Sequence, residues 1–194
     1  METETSMHYD FGIFHRLTEQ MTTRVNFYYI DVDNYIVANS GDVYHAAAAY
    51  GYNLDQISFY GVELELDSTW FEKLNIFGNY TYRETEYDSK ELLASAILLT
   101  LAPKHKVNVG FRYRLFTDTL LTSDVRYMGK RESEGNVYTL DDFITVDVGV
   151  EQKLFKNTTV RVYAANVLGE NYEEVYGFPM PGTVLGVNVK LTLF

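Results

Sequence analysis

Apolar and polar residues alternate along nearly the whole chain. From His105 to Leu115, the residues Val107, Val109, Phe111, Tyr113 and Leu115 alternate with Asn108, Gly110, Arg112 and Arg114. Successive side chains of an extended chain point to opposite sides, so one face of this segment is wholly apolar. The same period runs through Met7 to Leu17, Thr22 to Val37, Ser58 to Asp67, Leu74 to Tyr87, Leu120 to Tyr127, Thr145 to Gln152, Thr158 to Asn166 and Thr183 to Leu193. These segments predict an all-β chain of about nine antiparallel strands. Their connections alternate in length. Tight turns are expected near Glu19, Glu72, Thr117 and Lys156, and long loops over Ala38 to Gln56, Asp88 to Lys104, Gly129 to Asp141 and Leu168 to Gly182.

The polar phase decides what the apolar phase faces. It carries Glu63, Glu65, Arg83, Arg112, Arg114, Asp124, Arg126, Asp147, Glu151 and Arg161, with Asn and Gly between them, whereas no Asp, Glu, Lys or Arg occupies the central apolar phase. A lipid-facing Arg or Lys at a bilayer midplane costs about 2–4 kcal/mol, so lipid selects for such strictness. Short turns at one end and long loops at the other are also the plan of an up-and-down transmembrane barrel. The expectation is a polar lumen wall on one side. On the other, Val107, Val109, Phe111, Tyr113, Val187, Val189 and Leu191 would face lipid. Opposite charges on neighbouring strands, Glu63 and Glu65 with Arg83 and Asp147 and Glu151 with Arg161, are expected to pair at roughly 0.2–1 kcal/mol each. A soluble antiparallel sheet with one face on a protein core shows the same alternation, and is weakened by the asymmetry of the turns.

Composition narrows the classes further. Cysteine is absent, which excludes disulfides and thiolate metal sites. The net charge of -11 and dispersed arginines exclude a nucleic-acid partner, because phosphate binding needs clustered Lys and Arg. Aromatic residues make up 15%, and the three prolines are few, as strands require. A mean hydropathy of -0.18 suits a membrane barrel, in which only every second residue meets lipid. No apolar run approaches the roughly 20 residues of a spanning helix, and METETSMHYD reads as no secretory signal.

The closing stretch VRVYAANVLGENYEEVYGFPMPGTVLGVNVKLTLF joins two strands through Asn166, Val167, Leu168, Gly169, Asn171, Tyr172, Pro181 and Gly182, and stops on Phe194. It resembles the last hairpin of a TonB-dependent outer-membrane receptor. There a strand ends in Asn-Leu-Phe-Asp, followed by Asn-Tyr, Pro-Gly-Arg and a strand closing on an aromatic carboxyl terminus. Further matches are Tyr9, Asp10, Phe11 and Gly12 to a Tyr-Glu-x-Gly strand, Gly61, Val62 and Glu63 to Gly-Val-Glu, Asn79, Tyr80 and Thr81 to Asn-Tyr-Thr, and Pro103 with His105 to Pro-x-His. The order of these motifs resembles the last nine of the roughly 22 strands of such a receptor. Two positions depart from the pattern: Thr183 replaces the Arg after Pro-Gly, and Phe194 is out of phase with Leu193, Leu191, Val189 and Val187.

The resemblance implies a bacterial outer-membrane location and TonB-dependent uptake of a scarce nutrient such as an iron-siderophore or cobalamin. It implies a binding and transport role, with no enzyme activity and no cofactor. Residues 1–194 would be the C-terminal part of the barrel, with the plug domain and signal peptide absent. The expected partners are outer-membrane lipid, the missing N-terminal barrel and plug portion, TonB through that portion, and a metal-chelate or cobalamin ligand. An odd number of strands with two unpaired edges agrees with a segment of a larger ring. Two other readings remain open: a small outer-membrane barrel with a structural or pore role, and a soluble β-barrel binding an apolar ligand.

Site chemistry is sparse. His8, His15, His45 and His105 lack metal-cluster spacing. Asp31, Asp33 and Asn34 lack the Gly and terminal Glu of a calcium loop. For ligand contact the best candidates are Tyr44, His45, Tyr50 and Tyr52. Tyrosine offers a flat apolar ring with a hydroxyl, and histidine adds a donor or acceptor, which suits an organic chelate. The stretch Leu92 to Leu101 is apolar without clean alternation, and fits a short helix or a strand continuation.

Overall fold

A computed structural model describes residues 2–39, 50–87, 102–132 and 139–192. In chain order the strands are β1 (Thr5–Thr18), β2 (Met21–Asn39), β3 (Tyr50–Trp70), β4 (Leu74–Tyr87), β5 (His105–Phe116), β6 (Thr119–Met128), β7 (Arg131–Glu132), β8 (Thr139–Leu140), β9 (Phe143–Phe155), β10 (Thr158–Ala165), β11 (Glu173–Val175), β12 (Phe178–Pro179) and β13 (Val184–Leu191). Nine of them form one antiparallel sheet in the order β1-β2-β3-β4-β5-β6-β9-β10-β13. The small pairs β7–β8 and β11–β12 lie inside two of the long connections. Every neighbour in the large sheet is the next large strand in sequence, so the topology is an up-and-down meander.

The register resolves the two phases into two faces. Phe11 stands opposite Phe27, which stands opposite Val62, which stands opposite Tyr82. Gly78, Val109, Val125 and Val146 form another such row, and Val150, Val162 and Val187 a third. One apolar face therefore runs unbroken across all nine strands. Little of it is hidden: Phe11 is 62% exposed, Val109 45% and Val187 63%, whereas among the described residues only Val32, Ile57, Leu140 and Phe143 are buried hydrophobics. The sheet has no internal core of its own to cover that face.

The apolar phase ends where the chemistry changes. Towards the long loops it closes on tyrosines whose hydroxyls reach a polar row: Tyr60 donates to Glu86 at 2.8 Å, Tyr82 donates to Glu84 at 3.0 Å, and Tyr29 meets Ser58 at 3.1 Å. Charges do occupy this phase beyond the tyrosines, at Asp31, Asp33, Glu84 and Glu86. Towards the tight turns it closes on Trp70, with exposed Phe71, Phe116 and Phe155 in or beside the turns. From Tyr60 to Trp70 the strand rises about 33 Å, which at a tilt near 40° gives a belt about 25 Å tall, the height of the apolar band of an outer-membrane barrel.

Two expectations need correcting. The loop expected over Ala38 to Gln56 is shorter, because β2 continues to Asn39 and β3 already begins at Tyr50. Beyond the belt neither face must be apolar, so the alternation that marks a strand disappears while the backbone ladder continues. Inside the expected span of β2, Asn34 has φ 55, a left-handed conformation that Asn tolerates, and it is skipped in the register between Asp33↔Gln56 and Tyr35↔Leu54. The loops expected over Gly129 to Asp141 and Leu168 to Gly182 contain the short pairs β7–β8 and β11–β12. Leu92 to Leu101, and the closing Leu193 and Phe194, lie outside the described residues.

Candidate ligand-contact site

Asn166 organises the last long connection. It is 5% exposed and adopts φ 49 as β10 ends, so the chain turns sharply there. Its Nδ2 donates to the carbonyls of Glu170 at 2.8 Å and Pro181 at 3.3 Å, and its Oδ1 accepts the Glu170 N–H at 3.0 Å. Its own N–H donates to Asp147 Oδ1 at 2.8 Å. Thr183 donates its hydroxyl to the Asn166 carbonyl at 2.9 Å, a bond that ties the two ends of the connection together. This short side chain is what stands in place of the Arg after Pro-Gly.

Held at that base, the connection folds over the polar face. Tyr172 packs on Phe143 with ring centroids 4.1 Å apart, and Arg126 lies over both rings, at 5.1 Å from Phe143 and 5.6 Å from Tyr172. The same guanidinium donates to Glu174 Oε1 at 2.8 Å and to the Tyr172 hydroxyl at 3.0 Å. Arg131, from the neighbouring long connection, donates to the carbonyls of Glu174 at 2.9 Å and Glu173 at 2.8 Å. Burial pulls its guanidinium below the usual value, opposed by the Glu174 carboxylate, and it remains a cation. The β7–β8 and β11–β12 pairs are thereby clamped into one body.

Under this clamp is a cleft of about 490 Å³, open to the polar face. Asn108, Asp124, Arg126, Asp147 and Tyr172 give it polar walls, and Phe77 and Met180 give it apolar ones. Asp124 and Asp147 are register partners across β6 and β9, and Asp147 is engaged by the Asn166 N–H. Carboxylates, a guanidinium, a phenol and an apolar ring around one opening suit an organic ligand with several polar groups. Among the described residues no group of three His, Cys, Asp or Glu is placed to hold a metal ion directly.

The residues expected from sequence are partly gathered. Tyr44 and His45 lie outside the described residues, while Tyr50 and Tyr52 open β3 opposite Asn39 and Val37. Glu63, Glu65, Arg83, Arg112, Arg114, Asp124, Arg126, Asp147, Glu151 and Arg161 all fall on the polar face, and Val107, Val109, Phe111, Tyr113, Val187, Val189 and Leu191 all fall on the apolar one. The expected cross-strand ion pairs do not form. Glu65 pairs with Arg24 at 2.9 Å, while Arg83 lies 4.7 Å over the Phe59 ring and Arg161 lies 5.7 Å from the Tyr163 ring. A ring on the adjacent position attracts the flat guanidinium without the entropy of holding two flexible chains together. Alternation marks neither Phe143 nor Glu174 as a site residue, and Tyr172 stands out only as a member of the closing motif. Their available signal was the Asn166 to Pro181 motif, whose fixed spacing marks a folded connection.

A sheet apolar on one face and charged on the other, with short turns at one end and long connections at the other, is wall from a large up-and-down β-barrel. The family described as "TonB dependent receptor-like, beta-barrel" matches residues 1–167, and the chain belongs to that family. The iron-regulated outer membrane virulence protein of Vibrio cholerae is 31% identical over 145 residues, covering 71% of this chain and 22% of that protein. The metal-pseudopaline receptor CntO of Pseudomonas aeruginosa is 28% identical over 142 residues, covering 69% of this chain and 20% of its own. Among solved structures, the FrpB iron transporter of Neisseria meningitidis superimposes with a TM-score of 0.78 at 14% identity, over 98% of this chain and 30% of that one. The ferric enterobactin receptor PfeA of Pseudomonas aeruginosa gives 0.76 at 18% identity, over 97% and 31%. At such identities the likeness is one of fold. The chain thus spans about a fifth of the curated relatives and under a third of these structures.

Proposed function

We propose that these nine strands are part of the barrel wall of a bacterial outer-membrane receptor that takes up a metal chelate by TonB-dependent transport. The observation that carries this is the apolar face, continuous across every strand yet exposed, in a belt of membrane height. Exposed apolar surface of that extent needs a covering, and lipid covers it without a second protein layer. The opposite face is then the lumen wall, and the two free sheet edges, at β1 and β13, join the rest of the ring, because lipid tolerates no unpaired edge. A plug and TonB would act through the remainder of the receptor. The relatives named for iron, metal-pseudopaline and ferric enterobactin favour a metal chelate over cobalamin as cargo. The clamped β11–β12 connection, with the cleft beneath it, is the part of this chain offered to that cargo.

Topology tests the reading. Cysteine at Phe178, on the exposed tip of β12, should react with an impermeant thiol reagent on intact cells, and cysteine at Asn157, in a tight turn, should react only after the outer membrane is breached. Labelling at Asn157 alone would overturn the orientation. Equal labelling of both on intact cells would overturn the membrane location.

A further inference from the structure

The charged residues that line the cleft beneath the β11–β12 connection are Asp124, Arg126, Asp147 and Glu174. Arg126 and Glu174 form an ion pair at 2.8 Å, so their charges cancel and two carboxylates are left over. Asp124 and Asp147 are register partners on β6 and β9, so they leave the wall side by side, and both are exposed. Asp147 accepts the Asn166 N–H at 2.8 Å. Among the described residues Asp124 accepts no hydrogen bond, and neither carboxylate is in an ion pair. Like charges directly opposite on neighbouring strands destabilise a sheet, so this pair is unfavourable until a cation lies against it.

A second, independent feature points into the same opening. Thr145 lines the cleft and is 6% exposed, yet among the described residues its hydroxyl has no hydrogen-bond partner. A buried hydroxyl in that state is unfavourable, and a donor entering the cleft would satisfy it. Thr145 stands opposite Arg126, one row nearer the long loops than the two carboxylates, which is about 7 Å along the wall. The apolar side of the cleft is equally close. A Cβ at Gly110 would meet both the Phe77 ring and, at 2.8 Å, Asp124 Oδ1, so ring and carboxylate share one hollow, and Met180 adds a second apolar wall. A bare divalent cation takes six or more oxygen ligands and gains nothing from such walls. Two carboxylates and a hydroxyl beside a ring instead match the three donors of an ammonium carried on an apolar body. The cleft volume of about 490 Å³ has room for that body.

We infer that the cleft selects an organic cation, with a primary ammonium donating to Asp124, Asp147 and Thr145 and its apolar body against Phe77 and Met180. This rests on the proposed reading that the cleft is offered to cargo, and it specifies the part of the cargo that enters as amine-bearing. The test irradiates the receptor containing these strands, purified in detergent, with para-benzoylbenzylamine, a photoreactive ring bearing a primary amine. The N-acetyl form, which keeps the ring and loses the charge, is the reference. Adducts mapped by mass spectrometry should fall on β6, β9 and residues 172–184. The amine should give about tenfold more adduct than the amide at equal concentration, in line with the coupling of close charge pairs. Asp124→Asn with Asp147→Asn, which keeps an acceptor for the Asn166 N–H, should lower the amine adduct by about tenfold. Thr145→Val should lower it by about fivefold, for the loss of one hydrogen bond. Asp10→Asn, in the polar phase of β1 opposite Tyr28, should leave it unchanged. Heat-modifiable migration on gels identifies any variant that has not folded. Equal labelling by amine and amide, an adduct indifferent to the Asp pair, or an equal loss in Asp10→Asn overturns the inference. If that happens while cysteine at Phe178 is labelled on intact cells, only this inference fails. If cysteine at Phe178 is shielded on intact cells while the purified receptor gives the Asp-dependent adduct, the cleft selects amines and the cargo reading fails.

Discussion

Arginine substitutions at two depths on β5 test the face assignment quantitatively. Val109 stands between Gly78 of β4 and Val125 of β6, on the apolar face, and Phe111 lies one row further from the long loops, between Ile76 and Ser123. The belt closes on the row containing Tyr80, Val107 and Tyr127, one row above Val109. That step is about 7 Å along the strand, within reach of an arginine stem, so the guanidinium at 109 can snorkel towards the tyrosine row. Val109→Arg is therefore expected to cost about 2 kcal/mol, and Phe111→Arg, nearer the midplane, about 3–4 kcal/mol, the upper part of the range for a lipid-facing arginine. In populations these are roughly 30-fold and several hundred-fold shifts towards the unfolded state. Asn26→Arg is the control, because Asn26 lies on the polar face opposite Glu63, and it should stay within about 0.5 kcal/mol. The assay is reversible chemical unfolding of the receptor in lipid vesicles, read by migration of the folded band. Equal costs at all three positions would refute the lipid-facing assignment, and a larger cost at Val109 than at Phe111 would refute the placement of the belt.

Gly110→Val should destabilise by about 1–3 kcal/mol, because the new Cβ would meet Phe77 at 2.4 Å and Asp124 at 2.8 Å and must lift the ring from the wall. Gly12→Ala, whose Cβ would find its nearest atom at 3.5 Å, should be near neutral by the same unfolding measurement, and parity between the two would remove the close-approach argument. Asn166→Ala deletes the bonds to Glu170 and Pro181 and should loosen residues 167–183, costing about 1–3 kcal/mol locally. Hydrogen exchange should rise in that connection and not in β9, and unchanged exchange would show that Thr183 and Asp147 hold it without Asn166.

The strands were legible where physics applied the same demand to every second residue. Within the belt one face must be apolar, and Val107 to Leu115 shows it without exception. Past the tyrosine row that demand ends, so the outer reach of β3, from Tyr50 to Gln56, was invisible to periodicity although it pairs with Asp33 to Asn39 of β2. The cleft was hidden for another reason. Arg126 reads in sequence as one polar-face charge among many, and its partners Glu174 and Tyr172 lie 48 and 46 residues further on, brought back by a connection whose shape depends on one buried Asn166. Opposite charges on adjacent strands suggested ion pairs, yet Arg83 and Arg161 lie against the rings of Phe59 and Tyr163 instead. The Tyr163 ring is itself flattened over Gly186, where a Cβ would sit 2.2 Å from it. The alternation pattern thus specifies which face a side chain occupies. What it engages there depends on the space left by its neighbours, and in this wall that space is set by the glycines.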